Sequence, residues 1–254
     1  MVLYGRSRSL IVNTKNLFLR DCVYNKFISL VADCEQVRYD AIVSVIGYLL
    51  HSHKTSANNK AIIINDETIS DNPNGGSGKG LFCNALKFVK KVDTIDGKQF
   101  DFNKNFAYQT LNADTQVLVF DDVEKSFNFE SLFSIITEGI TIEKKNKDAI
   151  KIPVSRSPKI VITTNYTIGG VGGSFDRRKF EIEFSSYFNA THTPEQEFGG
   201  LLFDGWDDNE WNMFYSFMIS CLRYYMENGL VKYEHKNLEL RKLYKETATE
   251  FIVV

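Results

Sequence analysis

The stretch Asn72-Pro73-Asn74-Gly75-Gly76-Ser77-Gly78-Lys79-Gly80 decides how the rest of the chain is interpreted. It follows the apolar, β-branched run Ala61–Ile64, which predicts a buried parallel strand. It precedes Leu81–Lys91, which predicts a helix. In a glycine-rich turn between a strand and a helix, backbone N–H groups can point inward around phosphate oxygens. We therefore predict that residues 74–80 wrap the phosphates of a nucleotide.

Lys79 is placed to reach the β- and γ-phosphates, and the helix that begins near it adds the partial positive charge of its N-terminus. The stretch departs from the pattern G-x-x-x-x-G-K-[ST] at Pro73, where glycine is expected, and at Gly80, where a hydroxyl is expected. Because Gly80 supplies no hydroxyl, a metal ion would depend more on a carboxylate and on water. A flexible surface turn is the alternative, but it does not account for a lysine at the start of an apolar helix.

A second apolar run, Gln116–Phe120, predicts a strand that is followed by Asp121 and Asp122. The carboxyl ends of strands in open parallel sheets face the ligand crevice. We expect Asp121 to hold Mg²⁺, directly or through water, and Asp122 to orient or deprotonate the attacking water. A strand that ends in a solvated acidic turn is the alternative.

A third apolar run, Lys159–Thr163, is followed by Asn165, whose amide can hydrogen-bond both the γ-phosphate and the attacking water. Arg177 and Arg178 come after a glycine-rich loop, and the second of them begins the alternating segment 178–184, which predicts a half-buried strand suited to a sheet edge. An arginine supplied by a neighbouring subunit can raise a phosphoryl-transfer rate about 10³–10⁵-fold. A solvated strand start is the alternative for the arginine pair.

Strands that alternate with helices predict an α/β fold with a mainly parallel sheet covered on both faces. We predict an N-terminal helical segment at residues 1–58, a nucleotide-binding core at residues 59–188 and a C-terminal helical region at residues 189–254. A helix predicted at Asn237–Phe251 reaches nearly to the last residue. We expect the chain to be a piece of a longer protein, or to lack a further C-terminal domain.

The composition disfavours several classes of protein. A net charge of −2 provides no overall basic field, which disfavours a nucleic-acid coating protein but not a motor with few local contacts. The four cysteines form no C-x-x-C pair, so we predict buried thiols in a reducing compartment rather than disulfides or a zinc site. No apolar run approaches the ~18 residues of a membrane span. We therefore expect a soluble, intracellular protein with no membrane partner.

The order of these motifs resembles superfamily 3 helicases, in particular the helicase domain of phage and plasmid primase-helicases. The resemblance covers Lys60–Phe184 and implies a three-layer P-loop NTPase fold (AAA+-like) with helical N- and C-terminal extensions. It implies the following assignments: Walker A at Gly75–Lys79, Walker B at Asp121 and Asp122, sensor 1 at Asn165, and an arginine finger at Arg177 or Arg178.

The family also carries a hairpin between Walker B and sensor 1 that projects into the channel of a ring. The matching segment is Gly139–Lys151, with Lys144, Lys145 and Lys147 at the expected tip. Three lysines within four residues form a compact site for a phosphate backbone. The alternative is an ordinary solvated hairpin tip.

These features predict an ATP-dependent helicase or translocase domain, hexameric, that acts on single-stranded DNA in phage or plasmid replication. ATP and Mg²⁺ are the expected cofactors, and a primase domain or replication proteins are further expected partners, in the cytoplasm of a bacterial host. The alternative is a nucleotide-binding module that assembles a ring with little or no ATP turnover, which the missing hydroxyl at Gly80 motivates. A small-molecule kinase would leave the basic hairpin and a trans-acting arginine without a role.

Overall fold

The architecture is taken from a computed structural model that describes residues 22–67, 76–170 and 172–235. The helices in these residues are α1 (Val23–Val31), α2 (Gln36–Leu50), α3 (Lys79–Leu86), α4 (Phe133–Thr137), α5 (Gly173–Asp176), α6 (Pro194–Phe198) and α7 (Asp208–Asn228). The strands are β1 (Ala61–Asp66), β2 (Val92–Asp96), β3 (Val117–Val123), β4 (Gly139–Ile142), β5 (Ile150–Pro153), β6 (Lys159–Thr164) and β7 (Lys179–Phe184). The helix predicted at Asn237–Phe251 lies outside the described residues.

Five strands form one sheet in the order β2-β3-β6-β1-β7. The pairs β2–β3, β3–β6 and β6–β1 are parallel, which confirms the predicted α/β fold with a mainly parallel sheet. Helices α1 and α2 precede the sheet and α6 and α7 follow it, as predicted. Strand β6 lies between the strand that leads into the glycine-rich stretch and the strand that carries the acidic pair.

The edge strand β7 departs from the prediction of a half-buried strand. Lys179 is only 8% exposed and Glu183 is fully buried, as is Ile182 on the other face. The backbone N–H of Glu183 donates a hydrogen bond of 2.6 Å to the hydroxyl of Tyr233, beyond the end of α7. The prediction of a solvated face was wrong because a distant part of the chain covers this strand.

The chain packs as two compact units. Among the described residues, the first comprises 52–64, 82–170 and 172–181, and the second comprises 22–51, 65–67, 76–81 and 182–235. Apolar side chains of β1, β3, β6 and the β4–β5 hairpin build the core of the first unit, including Ile63, Phe120, Ile152 and Ile162. In the second unit α2 lies so close to α7 that a Cβ on Gly47 would be 2.1 Å from the carbonyl oxygen of Cys221. The division into residues 1–58, 59–188 and 189–254, which the sequence analysis gave, remains a prediction.

Two further expectations concern the burial of the cysteines and the presence of a membrane-spanning segment. Cys22, Cys83 and Cys221 are buried free thiols, as predicted, but Cys34 is exposed in the turn after α1, where its φ is +55°. The prediction for Cys34 was wrong because this turn takes the chain to the surface. Within the described ranges, no helix has the length and apolar character needed to cross a membrane.

Candidate active site

The described part of the glycine-rich stretch, Gly76–Gly80, turns directly into α3, which begins at Lys79. Asn74 and Gly75 lie outside the described residues. Gly76 has a φ of +111° and Gly78 a φ of +96°, conformations that side chains rarely allow. A Cβ on Gly78 would also lie 2.8 Å from the ring of Phe27, so glycine is needed there for two reasons. The segment is therefore a tight turn that leads directly into the N-terminus of α3.

In the second unit, the ammonium of Lys79 is held by Asp66, the last residue of β1. Asp66 Oδ2 forms an ion pair with Lys79 Nζ, and Asp66 Oδ1 accepts a hydrogen bond from the hydroxyl of Ser77. The two charged side chains are only 11% and 10% exposed. Sequence reasoning missed Asp66, although the available signal was the one used for Asp121, an aspartate after an apolar run. The group predicted to bind phosphate is thus occupied by an internal carboxylate.

In the first unit, both predicted acidic residues belong to β3, which extends to Val123 instead of ending at Phe120. The register with β6 shifts between Phe120 and Val123, and Asp122 has a φ of +55°. An irregularity of this kind bends a strand and redirects its side chains, and it is common next to active sites. Consecutive side chains of a regular strand point to opposite faces of the sheet. The irregularity explains how Asp121 and Asp122 can both contribute to a site at the end of β3.

Thr163 of β6 connects the two acidic residues. Its hydroxyl donates a hydrogen bond of 2.6 Å to Asp121 Oδ1 and accepts one of 2.7 Å from the backbone N–H of Asp122. Thr163 is only 1% exposed, so water does not compete for these bonds. Sequence reasoning named Asn165 on this strand and missed Thr163, because its partners depend on the register between β3 and β6.

Asp122 is contacted from two further sides. Asn165 Nδ2 donates a hydrogen bond of 3.4 Å to Asp122 Oδ1, which brings the predicted amide and the predicted acid together. Lys98 Nζ lies 2.5 Å from Asp122 Oδ2, and this hydrogen bond raises the pKa of the lysine. Lys98 follows the edge strand β2. The sequence analysis predicted neither this strand nor Lys98, because the segment Val92–Asp96 is polar and lacks an apolar run.

The two arginines have different surroundings. The guanidinium of Arg178 lies 4.4 Å from the centre of the Phe133 ring, and its Nη1 donates to the carbonyl oxygen of Ser174 at 2.9 Å. Arg177 is exposed, and its Nε donates to the carbonyl oxygen of Gly173 at 3.1 Å. Arg178 is therefore fixed by its own unit, whereas Arg177 is available at the surface.

The predicted hairpin is present. β4 and β5 pair antiparallel, from Gly139 opposite Pro153 to Ile142 opposite Ile150. The three lysines lie in the connecting turn, where the Lys147 N–H donates to the Lys144 carbonyl at 3.1 Å. Lys145 and Lys147 are exposed and Lys144 is partly exposed. The turn therefore displays positively charged side chains at the surface.

The predicted site residues are brought together only in part. Asp121, Asp122 and Asn165 meet through the bonds described above. Within the described part of the chain, neither arginine forms a hydrogen bond or ion pair with either acid. No group of three or more His, Cys, Asp or Glu side chains converges there. Carboxylate oxygens suit Mg²⁺, so Asp121 would hold the ion together with water and phosphate oxygens.

Comparison with protein families gives a match to part of the chain. A family of unknown function (DUF5906) matches residues 71–178, a segment shorter than half of the chain. This segment includes Lys79, Asp121, Asn165 and the two arginines. No curated protein matches the chain.

Solved structures give distant likenesses. The chain is similar to the NrS-1 C-terminal region, at 15% identity over 83% of this chain and 46% of the other, with a TM-score of 0.47. It is also similar to JCV helicase, at 15% identity over 89% of this chain and 61% of the other, with a TM-score of 0.46. The chain spans less than two thirds of the length of either protein.

Proposed function

We propose that this chain is an ATP-hydrolysing P-loop domain that moves single-stranded DNA. The observation that carries the proposal lies at the carboxyl ends of two neighbouring parallel strands of the first unit. β3 carries Asp121 and Asp122, β6 leads to Asn165, and Asn165 donates a hydrogen bond to Asp122. In the second unit, the glycine-rich turn leads into the helix that begins at Lys79. Ligands of open parallel sheets bind at the carboxyl ends of the strands. An acid pair, an amide and a glycine-rich turn with a lysine are the groups that nucleotide hydrolysis requires.

In the proposed reaction, the backbone N–H groups of the turn and the ammonium of Lys79 bind the phosphates. Lys79 must first exchange Asp66 for the β- and γ-phosphates. Mg²⁺ bound by Asp121 would neutralise charge that develops on the phosphate oxygens. Thr163 keeps the Asp121 carboxylate in one orientation through its hydrogen bond. Positioned charges of this kind act with little reorganisation during the reaction.

Asp122 would receive the proton of the attacking water or orient that water toward the γ-phosphate. Asn165 and Lys98 both contact its carboxylate, so its position is defined from two sides. Arg177 is the better candidate for an arginine finger, because it is exposed while Arg178 is stacked on Phe133. In a ring, Arg177 would reach the γ-phosphate bound by a neighbouring copy and stabilise the transition state.

The basic turn of the β4–β5 hairpin supports the DNA part of the proposal. Lys144, Lys145 and Lys147 would bind the phosphate backbone in the channel of a hexamer. Movement requires that the ATP, ADP and empty states differ in their contacts with the hairpin. We propose replication proteins or a primase domain as partners, and the cytoplasm of a bacterial host as the location.

A ring-assembly module with little ATP turnover is the second candidate. Two observations favour it: Gly80 has no hydroxyl for the metal ion, and Lys79 is held by Asp66. Such a module would bind ATP tightly and use it to stabilise the oligomer.

ATP hydrolysis with and without single-stranded DNA separates the two candidates, at protein concentrations that permit oligomers. We expect hydrolysis that DNA stimulates, and a loss of this stimulation when Lys144, Lys145 and Lys147 are all changed to alanine. The salt dependence of DNA binding should become shallower in that variant. Tight ATP binding without turnover would support the assembly module instead, and unchanged DNA affinity in the triple variant would remove the hairpin from the proposal.

A further inference from the structure

A short segment after β7 lies against the glycine-rich turn in the second unit. A Cβ on Gly76 would be 3.6 Å from the carbonyl carbon of Asn189 and 4.0 Å from the backbone nitrogen of Ala190. Asn189 forms an isolated antiparallel bridge with His192, in which the Asn189 N–H donates to the His192 carbonyl oxygen at 2.9 Å. Because bridged residues lie about 5 Å apart, His192 is close to the turn. The function proposed above uses no residue of this segment.

Two aromatic side chains of this segment are partly exposed. Tyr187 is 36% exposed and the His192 side chain is 42% exposed. Their ring centres are 5.1 Å apart and the ring planes are nearly perpendicular, at 81°. The His192 ring also lies parallel to the buried ring of Phe188, with a centre distance of 6.0 Å. Phe188 in turn stacks on Phe27, the ring that a Cβ on Gly78 would touch. The two exposed rings are therefore connected by packing to the glycine-rich turn.

One carboxylate holds both exposed rings. The hydroxyl of Tyr187 donates a hydrogen bond of 3.0 Å to Glu197 Oε2, and His192 Nε2 lies 2.9 Å from the same oxygen. Glu197 belongs to α6, whose start is fixed by the capping box of Thr193 and Gln196. Single exposed aromatic residues are common on protein surfaces and need no explanation. Two exposed rings that are fixed beside the proposed phosphate-binding turn form an ordered surface, which a flat ligand can contact with little further loss of side-chain freedom.

We propose that Tyr187 and His192 bind the nucleobase of the nucleotide whose phosphates the glycine-rich turn holds, an inference that rests on the proposed function. A base that stacks on one ring meets the other ring edge to face, and aromatic rings favour both arrangements. Every base has a π face on which it can stack, and a purine offers a larger face than a pyrimidine. The pair therefore favours purine nucleoside triphosphates, and Glu197 is the positioning residue that keeps the two rings in place.

Calorimetric titration with ATP and with inorganic tripolyphosphate tests this assignment, because tripolyphosphate carries the phosphates without a base. We expect Tyr187→Ala and His192→Ala each to raise the Kd for ATP about tenfold and to leave the Kd for tripolyphosphate unchanged. Lys79→Ala should weaken the binding of both ligands. His53→Ala, which removes an exposed histidine of the first unit, is the matched control and should bind both ligands as the wild-type protein does.

Tyr187→Phe separates stacking from a loss of local structure, because it keeps the ring and removes only the hydroxyl that donates to Glu197. It should retain most of the affinity for ATP. The assignment is overturned if either alanine variant keeps the wild-type affinity for ATP, or if both variants lose affinity for ATP and tripolyphosphate equally, which would indicate a structural role. UTP bound as tightly as ATP would remove the preference for purines. A wild-type protein that binds neither ATP nor tripolyphosphate would contradict the proposed function itself.

Discussion

The hydroxyl of Thr163 bonds to Asp121 Oδ1 at 2.6 Å and accepts the backbone N–H of Asp122 at 2.7 Å. One buried side chain on β6 thereby fixes both the carboxylate proposed to hold Mg²⁺ and the backbone that carries the proposed water-positioning acid. Asp122 needs this support because its φ of +55° is unusual for a residue with a side chain. Thr163 is a positioning residue for the whole acidic pair.

Changing Thr163 to valine removes the hydroxyl and keeps the shape of the side chain. We expect kcat to fall by about 10–100-fold, as for other residues that orient metal ligands, with ATP affinity changed little. The free energy of unfolding should fall by about 1–3 kcal/mol, because the Asp122 N–H loses its partner. Steady-state kinetics and urea unfolding measure the two effects. Thr163→Ser is the matched control, because it keeps the hydroxyl, and it should retain most of the activity. An equal fall of kcat in the valine and serine variants would contradict the proposed role of the hydroxyl.

Changing Asp66 to asparagine releases Lys79 from its ion pair. Because ATP would no longer compete with a carboxylate, we expect the Kd for ATP to fall several-fold, that is, tighter binding. Calorimetric titration measures the change. Asp114→Asn is the control, because it breaks an exposed ion pair with Lys91 elsewhere. Weaker ATP binding in Asp66→Asn would mean that Asp66 helps to bind the nucleotide.

Changing Gly80 to serine supplies the hydroxyl that the phosphate-loop pattern expects. A Cβ on Gly80 meets nothing within 4 Å, so the structure has room for the new side chain. We expect a lower Mg²⁺ requirement and a kcat raised by roughly one order of magnitude. Gly80→Ala is the matched control: it should gain about 0.5–1 kcal/mol of helix stability without any gain in rate. Equal rates in the serine and alanine variants would contradict a metal role for this position.

The burial of Lys159 predicts that the stability of the protein depends on pH. Its pKa is about 6 in the folded protein, against an ordinary value of 10.5, so the unfolded chain binds more protons between these values. Stability should therefore rise with pH across this window. Tm values at pH 6 to 9 should show the wild-type protein less stable than Lys159→Met, with a gap that narrows as pH rises. A gap that stays constant would mean that Lys159 is not deprotonated in the folded state.

Apolar runs were enough to predict the central strands, because β1, β3 and β6 are buried on both faces. The edge strand β2 was missed, since a half-exposed strand of sequence Val-Asp-Thr-Ile-Asp carries little apolar signal. Motif order named Asp121, Asp122 and Asn165, which the structure brings together. It could not name Asp66, Thr163 or Lys98, because their importance arises from pairing between distant segments and not from local spacing.

ATP hydrolysis by Lys79→Ala and Asp121→Asn tests most directly whether the glycine-rich turn and the acidic pair serve one nucleotide. Lys87→Ala, which removes an exposed lysine of the same region, is the control. The account predicts that each of the first two variants loses at least about 10²-fold in kcat while Lys87→Ala keeps the wild-type rate. Hydrolysis at the wild-type rate by either Lys79→Ala or Asp121→Asn would contradict it.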